Sequence, residues 1–553
     1  MKPQIFADKH RLKKILKISN LRFETKKISG FICVYAIAGW LIFLFPFQIS
    51  AQTYKNPVIP GDFPDPSVIR VGNDYYATAT SGGWSPHFPL MHSKDLINWK
   101  IIGAVFYKKP NWAKGDFWAP EIVEDRGRFF VYYTARRDEG KDEKGTLCVA
   151  VATAENPQGP YTDHGTLVCQ EMGSIDADFT RDENGKPFLI WKEDGNDRRQ
   201  PTWLYAQELD ESGTRLLGKP TKLFRNTEPW ENHVIEGSFL VRRDGWFYMF
   251  YSGNACCGRQ CNYALGVARS KTLLGNWEKN PANPILAENE TWQCPGHGSI
   301  VETPDDRSFL LYHAYRKNDL GFQIGREALL DEVKFENGWA TINGGKGASR
   351  FAETPFKNTE QQSIFANLSD EFNKNKLSAQ WSKVFNDLNF PEVSNGFLKL
   401  TSAKEQSTKQ TSKETVISER MVSGDYVATT KINFDKFKAQ ESAGIAVYTW
   451  RGNSLGISVG KDKIFIWKKQ AGEKNEILNK DLPKNLKTVQ LKIEAKNAAY
   501  YNLFFSTDEG KNWQSLGEAI DGRFIEGGRV ALIYEGNSIN ANAKFDWIRV
   551  GEN

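Results

Sequence analysis

The stretch FPDPSVIRVGNDYYATAT (63–80) decides the fold, because four later segments of the chain repeat its pattern. In each copy an acid or a histidine precedes a short apolar run, a turn with Gly or Asp follows, and an aromatic strand comes next. The other copies are FWAPEIVEDRGRFFVYYT (117–134), SIDADFTRDENGKPFLIW (174–191), VIEGSFLVRRDGWFYMFY (234–251) and GHGSIVETPDDRSFLLYH (296–313). A repeat at a nearly fixed period is typical of propellers and solenoids.

The lead residues of the five copies fix that period at 56, 55, 60 and 61 residues. They are Asp65, Glu121, Asp176, Glu236 and His297. Between the copies lie weaker repeats, each a strand, a turn and an aromatic strand: MHSKDLINWKIIG (91–103), VATAENPQGPYTDHG (151–165) and VARSKTLLGNWEKNP (267–281). Each period therefore holds about four short strands, which is one propeller blade. We expect residues 52–350 to form a five-bladed β-propeller.

The texture of the sequence changes after this region. The polar stretch AETPFKNTEQQS (352–363) predicts a linker over residues 351–365. Residues 366–553 then alternate strands such as DYVATTKINF (425–434) and TVQLKIEAK (488–496) with hairpin turns. This spacing indicates an antiparallel, jelly-roll-like β-sandwich, so the whole chain is predicted to be all-β.

The net charge of +5 belongs to the N-terminus rather than to the predicted domains. Residues 1–30 carry nine Lys and Arg against two acids, which leaves −2 for the remainder and no basic surface for nucleic acid. The basic start and the apolar run over residues 31–47 predict a signal peptide, 1–51, cleaved after Ala51. We expect an exported protein, periplasmic or extracellular, without membrane contact after cleavage; a retained anchor is the alternative.

Six cysteines remain beyond the predicted leader: Cys148, Cys169, Cys256, Cys257, Cys261 and Cys294. An even number in an exported chain permits disulfides, whose pairing the sequence leaves open. The cluster CCGRQC (256–261) lacks the spacing of structural zinc ligands, so we expect a disulfide-stapled loop there.

The lead residues of a closed ring converge on its axis. Crowded carboxylates shift each other's pKa, so that one stays protonated while another is ionised. That combination can protonate a leaving group and activate a water, as glycoside hydrolysis requires.

Four motifs in register with the blades resemble glycoside hydrolase family 43. They are Phe63-Pro64-Asp65-Pro66-Ser67, Ile175-Asp176, Ile235-Glu236-Gly237 and Gly296-His297-Gly298-Ser299. The resemblance covers residues 56–345, and the tail resembles the concanavalin-like sandwich of some exo-acting members.

The resemblance implies a role for each acid. Asp65 matches the general base, Glu236 the general acid, and Asp176 the carboxylate that orients this acid and raises its pKa. It also implies inversion, with base and acid about 6.5–9.5 Å apart. Asp178 is an alternative to Asp176, although the register favours Asp176. Glu121 matches no catalytic residue of the family, and we expect it to be structural.

Further residues are candidates for sugar binding. Arg326 matches an arginine that reaches the sugar in the family. Trp84, on a Gly-rich loop, is the preferred stacking platform; Trp118 is a second candidate that blade packing would equally explain. Phe322 is expected in the pocket wall.

His297 matches a histidine at the channel centre of the family, often beside calcium or a water cluster. We expect no cofactor to be required. A structural Ca²⁺ held indirectly near His297 is one hypothesis, and an ordinary buried histidine, also a candidate for sugar contact, is the other.

The sequence thus predicts an exported inverting hydrolase that releases pentose, as an α-L-arabinofuranosidase or β-D-xylosidase, from plant-type polysaccharide or oligosaccharide. Endo-arabinan cleavage and galactose release are the alternatives within the family. A non-catalytic carbohydrate-binding propeller is the alternative of another class, and it would not need the three acids together.

Overall fold

Five antiparallel sheets of four strands each succeed one another between Ser67 and Ile342. The computed structural model describes residues 52–138, 145–196, 199–317, 321–385, 391–401, 414–536 and 542–553. Each sheet is built from one continuous segment of chain, so each is one blade. The five-bladed propeller predicted from the repeats is confirmed.

The strands of this part are short and are joined mostly by tight turns. In chain order they are β1 (Thr53–Lys55), β2 (Ser67–Val71), β3 (Asp74–Thr78), β4 (Trp84–Ser85), β5 (His87–Ser93), β6 (Lys100–Phe106), β7 (Ala113–Asp125), β8 (Arg128–Arg137), β9 (Leu147–Ala154), β10 (Thr162–Val168), β11 (Ser174–Arg181), β12 (Pro187–Glu193), β13 (Trp203–Glu208), β14 (Thr221–Arg225), β15 (Ile235–Arg243), β16 (Trp246–Gly253), β17 (Ala264–Ser270), β18 (Glu278–Lys279), β19 (Trp292–Glu302), β20 (Ser308–Arg316), β21 (Glu327–Glu336), β22 (Trp339–Ile342) and β23 (Phe351–Glu353). Blade I contains β2, β3, β5 and β6, and blades II to V take β7–β10, β11–β14, β15–β18 and β19–β22. In the described ranges the helical segments are the one-turn helix α1 (Gly321–Ile324) and two 3-10 turns, Pro229–Glu231 and Asn343–Gly345.

A side-chain hydroxyl joins each blade to the next, close to the lead residue of the repeat. The innermost strands β2, β7, β11, β15 and β19 contact one another in a ring. Backbone N–H groups donate to hydroxyl oxygens across the five junctions, from Val68 to Ser299, Ile122 to Ser67, Asp176 to Thr134, Ile235 to Thr202 and His297 to Ser252, at 2.8, 3.0, 3.2, 3.1 and 2.9 Å. In blades III and V the donors, Asp176 and His297, lie within register shifts, so these bonds satisfy N–H groups that the bulge would leave without a ladder partner.

The ends of the propeller segment meet beside blade V. Strand β1 pairs with β23, a strand within the stretch that the sequence predicted to be a linker. The Asn56 side chain completes the junction, donating to the Leu330 carbonyl and accepting from its N–H, both at 3.0 Å.

Two large antiparallel sheets form the C-terminal sandwich, as the alternating strands predicted. Their strands are β24 (Ser382–Val384), β25 (Glu392–Ser394), β26 (Phe397–Thr401), β27 (Glu414–Arg420), β28 (Tyr426–Asn433), β29 (Ser442–Tyr448), β30 (Ser454–Gly460), β31 (Lys463–Gln470), β32 (Glu473–Asp481), β33 (Thr488–Lys496), β34 (Tyr500–Ser506), β35 (Gln514–Ser515), β36 (Ile520–Asp521), β37 (Arg529–Glu535) and β38 (Asn542–Gly551). The core between the sheets buries Ile445 and Leu532 from one side and Leu491 and Ile493 from the other.

One short strand of the propeller segment pairs with a sheet of the sandwich. Strand β4 of the blade I loop pairs with β24 and thereby becomes the edge of an eight-stranded sheet, in the order β32-β31-β30-β29-β37-β27-β24-β4. The N–H of Phe385 extends this contact by donating to the Gly83 carbonyl at 2.8 Å. The two domains are therefore joined by backbone hydrogen bonds as well as by side chains.

In the ranges that the structure describes, we find no helix with the length and apolar character needed to cross a membrane. The predicted signal peptide, residues 1–51, lies outside the described residues.

Candidate active site

Unusual backbone conformations set the lead residues of blades I, III and V. Asp65, Asp176 and His297 have φ of 53°, 54° and 43°, and in blade IV the residue after Glu236, Gly237, has φ of 57°. In blades III, IV and V the strand register shifts at the same point, which marks a β-bulge. Bulges re-aim side chains, and positive φ at non-glycine residues clusters where function over-determines the backbone. The repeat thus brings these side chains together instead of continuing a regular ladder.

Asp65 is a buried carboxylate surrounded by donors and cations. Nη1 of Arg326 lies 2.9 Å from Oδ1, and the Thr80 hydroxyl donates to Oδ2 at 2.7 Å. Burial raises the pKa of Asp65, but the charge of Arg326, followed by that of His297, outweighs it and holds that pKa well below its usual range. Asp65 is therefore ionised at neutral pH and can accept a proton from water.

His313 contacts the backbone of Asp65 as a neutral imidazole. The backbone N–H of Asp65 donates to His313 Nδ1 at 3.1 Å, so Nδ1 carries no proton and the proton sits on Nε2. Burial lowers the pKa of His313 to about 4, and its ring stacks on Tyr263 with an interplanar angle of 3°. The 3.3 Å approach of Nδ1 to Asp65 Oδ1 is consequently not an ion pair.

Glu236 is bound by three donors. Lys192 Nζ lies 2.7 Å from Oε2, the Asn196 amide donates to Oε2 at 3.1 Å, and the Tyr263 hydroxyl donates to Oε1 at 3.1 Å. Burial raises the pKa of Glu236, but the charge and hydrogen bond of Lys192 outweigh it and lower that pKa below its ordinary value. The predicted raised pKa of Glu236 is therefore wrong here, because the sequence argument did not include a buried lysine beside it.

Of Asp65, Asp176 and Glu236, Asp176 is the carboxyl that gains a proton most readily. Its Oδ2 accepts the N–H of Gly237 at 3.0 Å, which ties it to the backbone directly after Glu236. Burial raises the pKa of Asp176 to about 6; His297 opposes the rise and the charge of Glu236 adds to it. The two acids thus titrate as a coupled pair, with the raised pKa on Asp176.

His297 lies between the two aspartates. Its Nδ1 is 3.5 Å from Asp65 Oδ1 and 4.0 Å from Asp176 Oδ2, and a Cβ on Gly237 would come within 2.8 Å of its ring. Glycine is therefore suited to position 237 for two reasons. It adopts the positive φ without strain, and it leaves room for the imidazole ring of His297.

The side chains around His297 do not form a direct set of calcium ligands, and an ion held there indirectly stays a prediction. Within the described ranges, no three or more His, Cys, Asp or Glu side chains are arranged to hold a metal. Ca²⁺ takes about six to eight oxygen ligands. Of the two carboxylates here, Asp65 already bears the Arg326 guanidinium.

Trp84 does not line the pocket, so its predicted role as a stacking platform is wrong. It is 3% exposed and packs with Tyr448 and Trp467 of the sandwich, while the Arg529 guanidinium lies 4.3 Å from its ring centroid. A sugar cannot reach a ring covered by another domain.

Trp118 and Phe322 stay in the neighbourhood of the acids. Trp118 is half-buried, and the N–H of the next residue, Ala119, donates at 2.7 Å to the Thr80 hydroxyl that binds Asp65. Phe322 lies in α1, four residues before Arg326, with its ring centroid 4.6 Å from that of Tyr315. Sugar contact by either residue stays a prediction.

Glu121 and Asp178 form a separate pair of acids. Burial and the mutual charge raise the pKa of Glu121 well above its usual range. Burial likewise raises that of Asp178, against backbone hydrogen bonds from Leu240 and Phe179. Neither has a hydrogen bond to Glu236 among the contacts of the described residues, whereas Asp176 binds the adjacent Gly237.

Sequence reasoning missed Lys192, Tyr263 and His313. Lys192 and His313 lie on second strands of their blades, in FLIWKE and LLYHAYR, where a charged or imidazole side chain interrupts a run of buried apolar residues. That interruption was the available signal for both. Tyr263 directly follows the cysteine loop, and no repeat marks its position.

Comparison with known proteins agrees with this arrangement. The model of "Glycosyl hydrolases family 43" matches residues 54–340, and that of the "Beta xylosidase C-terminal Concanavalin A-like domain" matches residues 369–550. The chain is 25% identical to xylosidase/arabinosidase 43B of Humicola insolens over 85% of its length and 90% of that protein. It is 26% identical to a β-xylosidase of Bacillus subtilis over 86% and 93%. The crystal structure of the GH43 protein BlXynB of Bacillus licheniformis superposes with a TM-score of 0.78 at 26% identity, covering 91% of this chain and all of that one. The chain therefore belongs to glycosyl hydrolases family 43.

Proposed function

We propose that this glycoside hydrolase is exported, inverts the anomeric centre and releases single pentose units, arabinofuranose or xylose, from the non-reducing ends of plant-type glycans. The observation that carries the proposal is the cluster of acids itself. It holds Asp65, kept ionised by Arg326, together with the coupled acids Asp176 and Glu236. A propeller that only binds sugar has no need for acids whose pKa values are shifted in opposite directions.

In the proposed reaction Asp65 accepts a proton from the attacking water as the water oxygen bonds to the anomeric carbon. The glycosidic C–O bond breaks with its electron pair, and the departing oxygen takes a proton from Glu236. The Asp176–Glu236 pair holds that proton below a pH of about 6, and Asp176 passes it to the carboxyl that faces the leaving group. Solvent exchange then restores both acids, so the net change is the addition of one water.

The wall beside Arg326 supports action on chain ends. The sandwich residues Gly527 and Gly528 donate their N–H groups to the carbonyls of Phe322 and Gln323 at 3.0 Å. The C-terminal domain thus abuts one side of the pocket, where a groove for an internal chain segment would have to continue. The names of the relatives, xylosidase/arabinosidase and β-xylosidase, support pentose as the sugar. The basic and apolar N-terminus supports export.

The test is release of sugar from aryl α-L-arabinofuranoside, β-D-xyloside and β-D-galactoside, and from linear and branched arabinan and xylan. We expect a free pentose as the product, and NMR of the first turnover should detect the inverted anomer. Asp65→Asn and Glu236→Gln should each lower kcat/KM by about 10²–10⁴-fold.

Glu121→Gln is the matched control, because Glu121 occupies the same point of the repeat outside the proposed reaction. Wild-type rates in Asp65→Asn or Glu236→Gln would refute the assigned roles. Release of oligosaccharides alone would favour an endo-acting enzyme, and galactose alone would replace the pentose.

A further inference from the structure

Two adjacent cysteines in the loop after blade IV stand apart from the disulfides of this protein. Cys148 is bonded to Cys169 and Cys261 to Cys294, whereas Cys256 and Cys257 are free thiols. The Sγ atoms of this adjacent pair lie 2.6 Å apart, with Cys257 exposed and Cys256 half-buried. Two sulfurs this close are already arranged to bond to each other.

The loop that carries the pair is anchored at its far end. The Cys261–Cys294 disulfide ties it to β19, as the predicted stapled loop required, and the N–H of Asn262 donates to the Ala255 carbonyl at 3.0 Å. Arg259 pairs with Glu526 of the sandwich at 2.8 Å. The pair is thus presented from a fixed position.

That position is the mouth of the pocket. Cys256 packs on the apolar cluster of Tyr263, Cys294 and Tyr315, and the Tyr263 hydroxyl donates to Glu236. Arg326, which binds Asp65, lies close enough for its charge to act on Cys257. The thiols therefore border the groups that we assign to catalysis and sugar binding.

The two thiols differ in a way that suits thiol–disulfide exchange. The hydrogen bond from Cys256 lowers the pKa of Cys257 to about 7; burial opposes this and Arg326 supports it. The hydrogen bond with Cys257, together with burial, raises the pKa of Cys256. Cys257 is thus the exposed attacking thiolate, and Cys256 is the resolving thiol.

We propose that Cys256 and Cys257 form a thiol–disulfide site on the rim of the pocket, and that their closure to a vicinal disulfide strengthens substrate binding. The oxidant is a low-molecular-weight disulfide. The Cys257 thiolate attacks one of its sulfurs, and the other half leaves as a thiolate. Cys256 then gives up its proton, and its sulfur attacks that of Cys257 and expels the second half. Two electrons pass from the protein to the small disulfide, which becomes two thiols.

Adjacency makes such a bond reversible. Consecutive Cα atoms are about 3.8 Å apart, which is below the usual range of about 4.4–6.8 Å for disulfide-bonded cysteines. A strained and accessible disulfide is more readily reduced than a relaxed, buried one. The site should therefore exchange between its two forms while Cys148–Cys169 and Cys261–Cys294 persist.

Closure would change the charge beside Arg326. In the reduced form the Cys257 thiolate competes with Asp65 and with sugar hydroxyls for the guanidinium. The disulfide is uncharged and leaves Arg326 to them. We expect KM to be roughly two- to fivefold lower in the oxidised form, the effect of one partly exposed charge contact, with kcat unchanged.

The experiment equilibrates the whole protein in buffers of reduced and oxidised glutathione, traps free thiols with iodoacetamide and digests with trypsin. The expected fragment 244–259 contains Cys256 and Cys257 and no other cysteine. It should appear lighter by two hydrogen atoms and unalkylated in oxidising buffers, and doubly alkylated in reducing ones. KM and kcat on an aryl pentoside are measured across the same series.

Two variants keep the inference open to refutation. The double variant Cys256→Ser/Cys257→Ser should lose the dependence of KM on the buffer. The control Cys148→Ser/Cys169→Ser removes the same number of sulfurs and should keep that dependence. The Tm of each variant reports whether it folds. A fragment that stays dithiol or carries only glutathione adducts overturns the site, and closure without a change in KM overturns its effect on binding. The effect on KM rests on the proposed function, but the mass readout does not, so an enzyme inactive on every pentoside with a closed pair would refute the function alone.

Discussion

Lys192 controls the charge state of Glu236, the proposed general acid. Its side chain is fully buried, and three carboxylates, Glu236, Asp194 and Asp176, raise its pKa against the effect of burial, so it stays protonated. A buried ammonium 2.7 Å from Glu236 keeps that carboxyl ionised and leaves the pair's proton to Asp176. The pH dependence of the enzyme should therefore report Asp176 and Glu236 together.

Lys192→Met tests this charge balance. The loss of the ammonium should raise the pKa of Glu236, so the pH at which kcat/KM declines on the alkaline side moves upward by about one to three pH units. The wild-type decline should centre near pH 6, the value to which the pKa of Asp176 is raised. Lys186→Met, an exposed lysine on the same hairpin, is the control. An unchanged profile in Lys192→Met would contradict the pairing.

Asp176→Asn should separate stability from activity. The folded pKa of Asp176 lies above that of an unfolded aspartate, so its ionisation removes stability as the pH rises from about 4 to about 6. The amide avoids that loss and still accepts the Gly237 N–H. We expect urea unfolding at pH 7.5 to show no loss of stability, while kcat/KM drops by about 10²–10⁴-fold.

Asp178→Asn provides the comparison for Asp176→Asn, since Asp178 lies on the same strand and is also buried. It should keep most of the activity. A larger loss of activity in Asp178→Asn than in Asp176→Asn would exchange the roles of the two residues.

The sequence predicted Asp65, Asp176 and Glu236 as neighbours because a repeat fixes where its lead residue points. For Lys192 and His313 it offered only a polar interruption in strands where the repeat specifies apolar character, which does not tell which groups these side chains face. It also misplaced Trp84, because an exposed-looking Gly-rich loop gives no sign that another domain covers it.

The inner strands are joined by one hydroxyl per blade junction. In two blades this hydrogen bond also holds the backbone of the lead residue in place. The N–H groups that donate to Thr134 and Ser252 are those of Asp176 and His297 themselves. The number of blades and the strand pattern could be predicted from period and alternation. The hydroxyl junctions could not, because a Ser or Thr in a strand looks alike whether it faces its own blade or the next.

Thr134→Val tests the junction between blades II and III. Valine keeps the shape but leaves the Asp176 N–H without its acceptor, which should reduce the free energy of unfolding by about 1–3 kcal/mol. Urea unfolding measures the loss, and Thr429→Val on the partly exposed face of a sandwich strand should cost less than about 0.5 kcal/mol. Equal costs in the two variants would mean that the junction bond contributes nothing.

In the whole molecule, the propeller and the sandwich share a buried boundary around Trp84. Trp84→Ala should lower the free energy of unfolding by about 3–5 kcal/mol, because it leaves a cavity between the domains. Trp118→Ala, at the partly exposed candidate for sugar stacking, should instead raise KM with a much smaller loss of stability. If Trp84→Ala raised KM and left stability unchanged, the original prediction for Trp84 would be restored.

The pairing of propeller strand β4 with the sandwich has a consequence for the kinetics of the enzyme. Because β4 is hydrogen-bonded into the sandwich sheet through β24, the domains cannot rotate about a hinge without breaking backbone hydrogen bonds. We therefore expect the mouth of the pocket to keep one width during turnover. A glycan end must diffuse into a fixed opening and its product must diffuse out again, so solvent viscosity should limit turnover through these two passages rather than through any opening and closing of the protein.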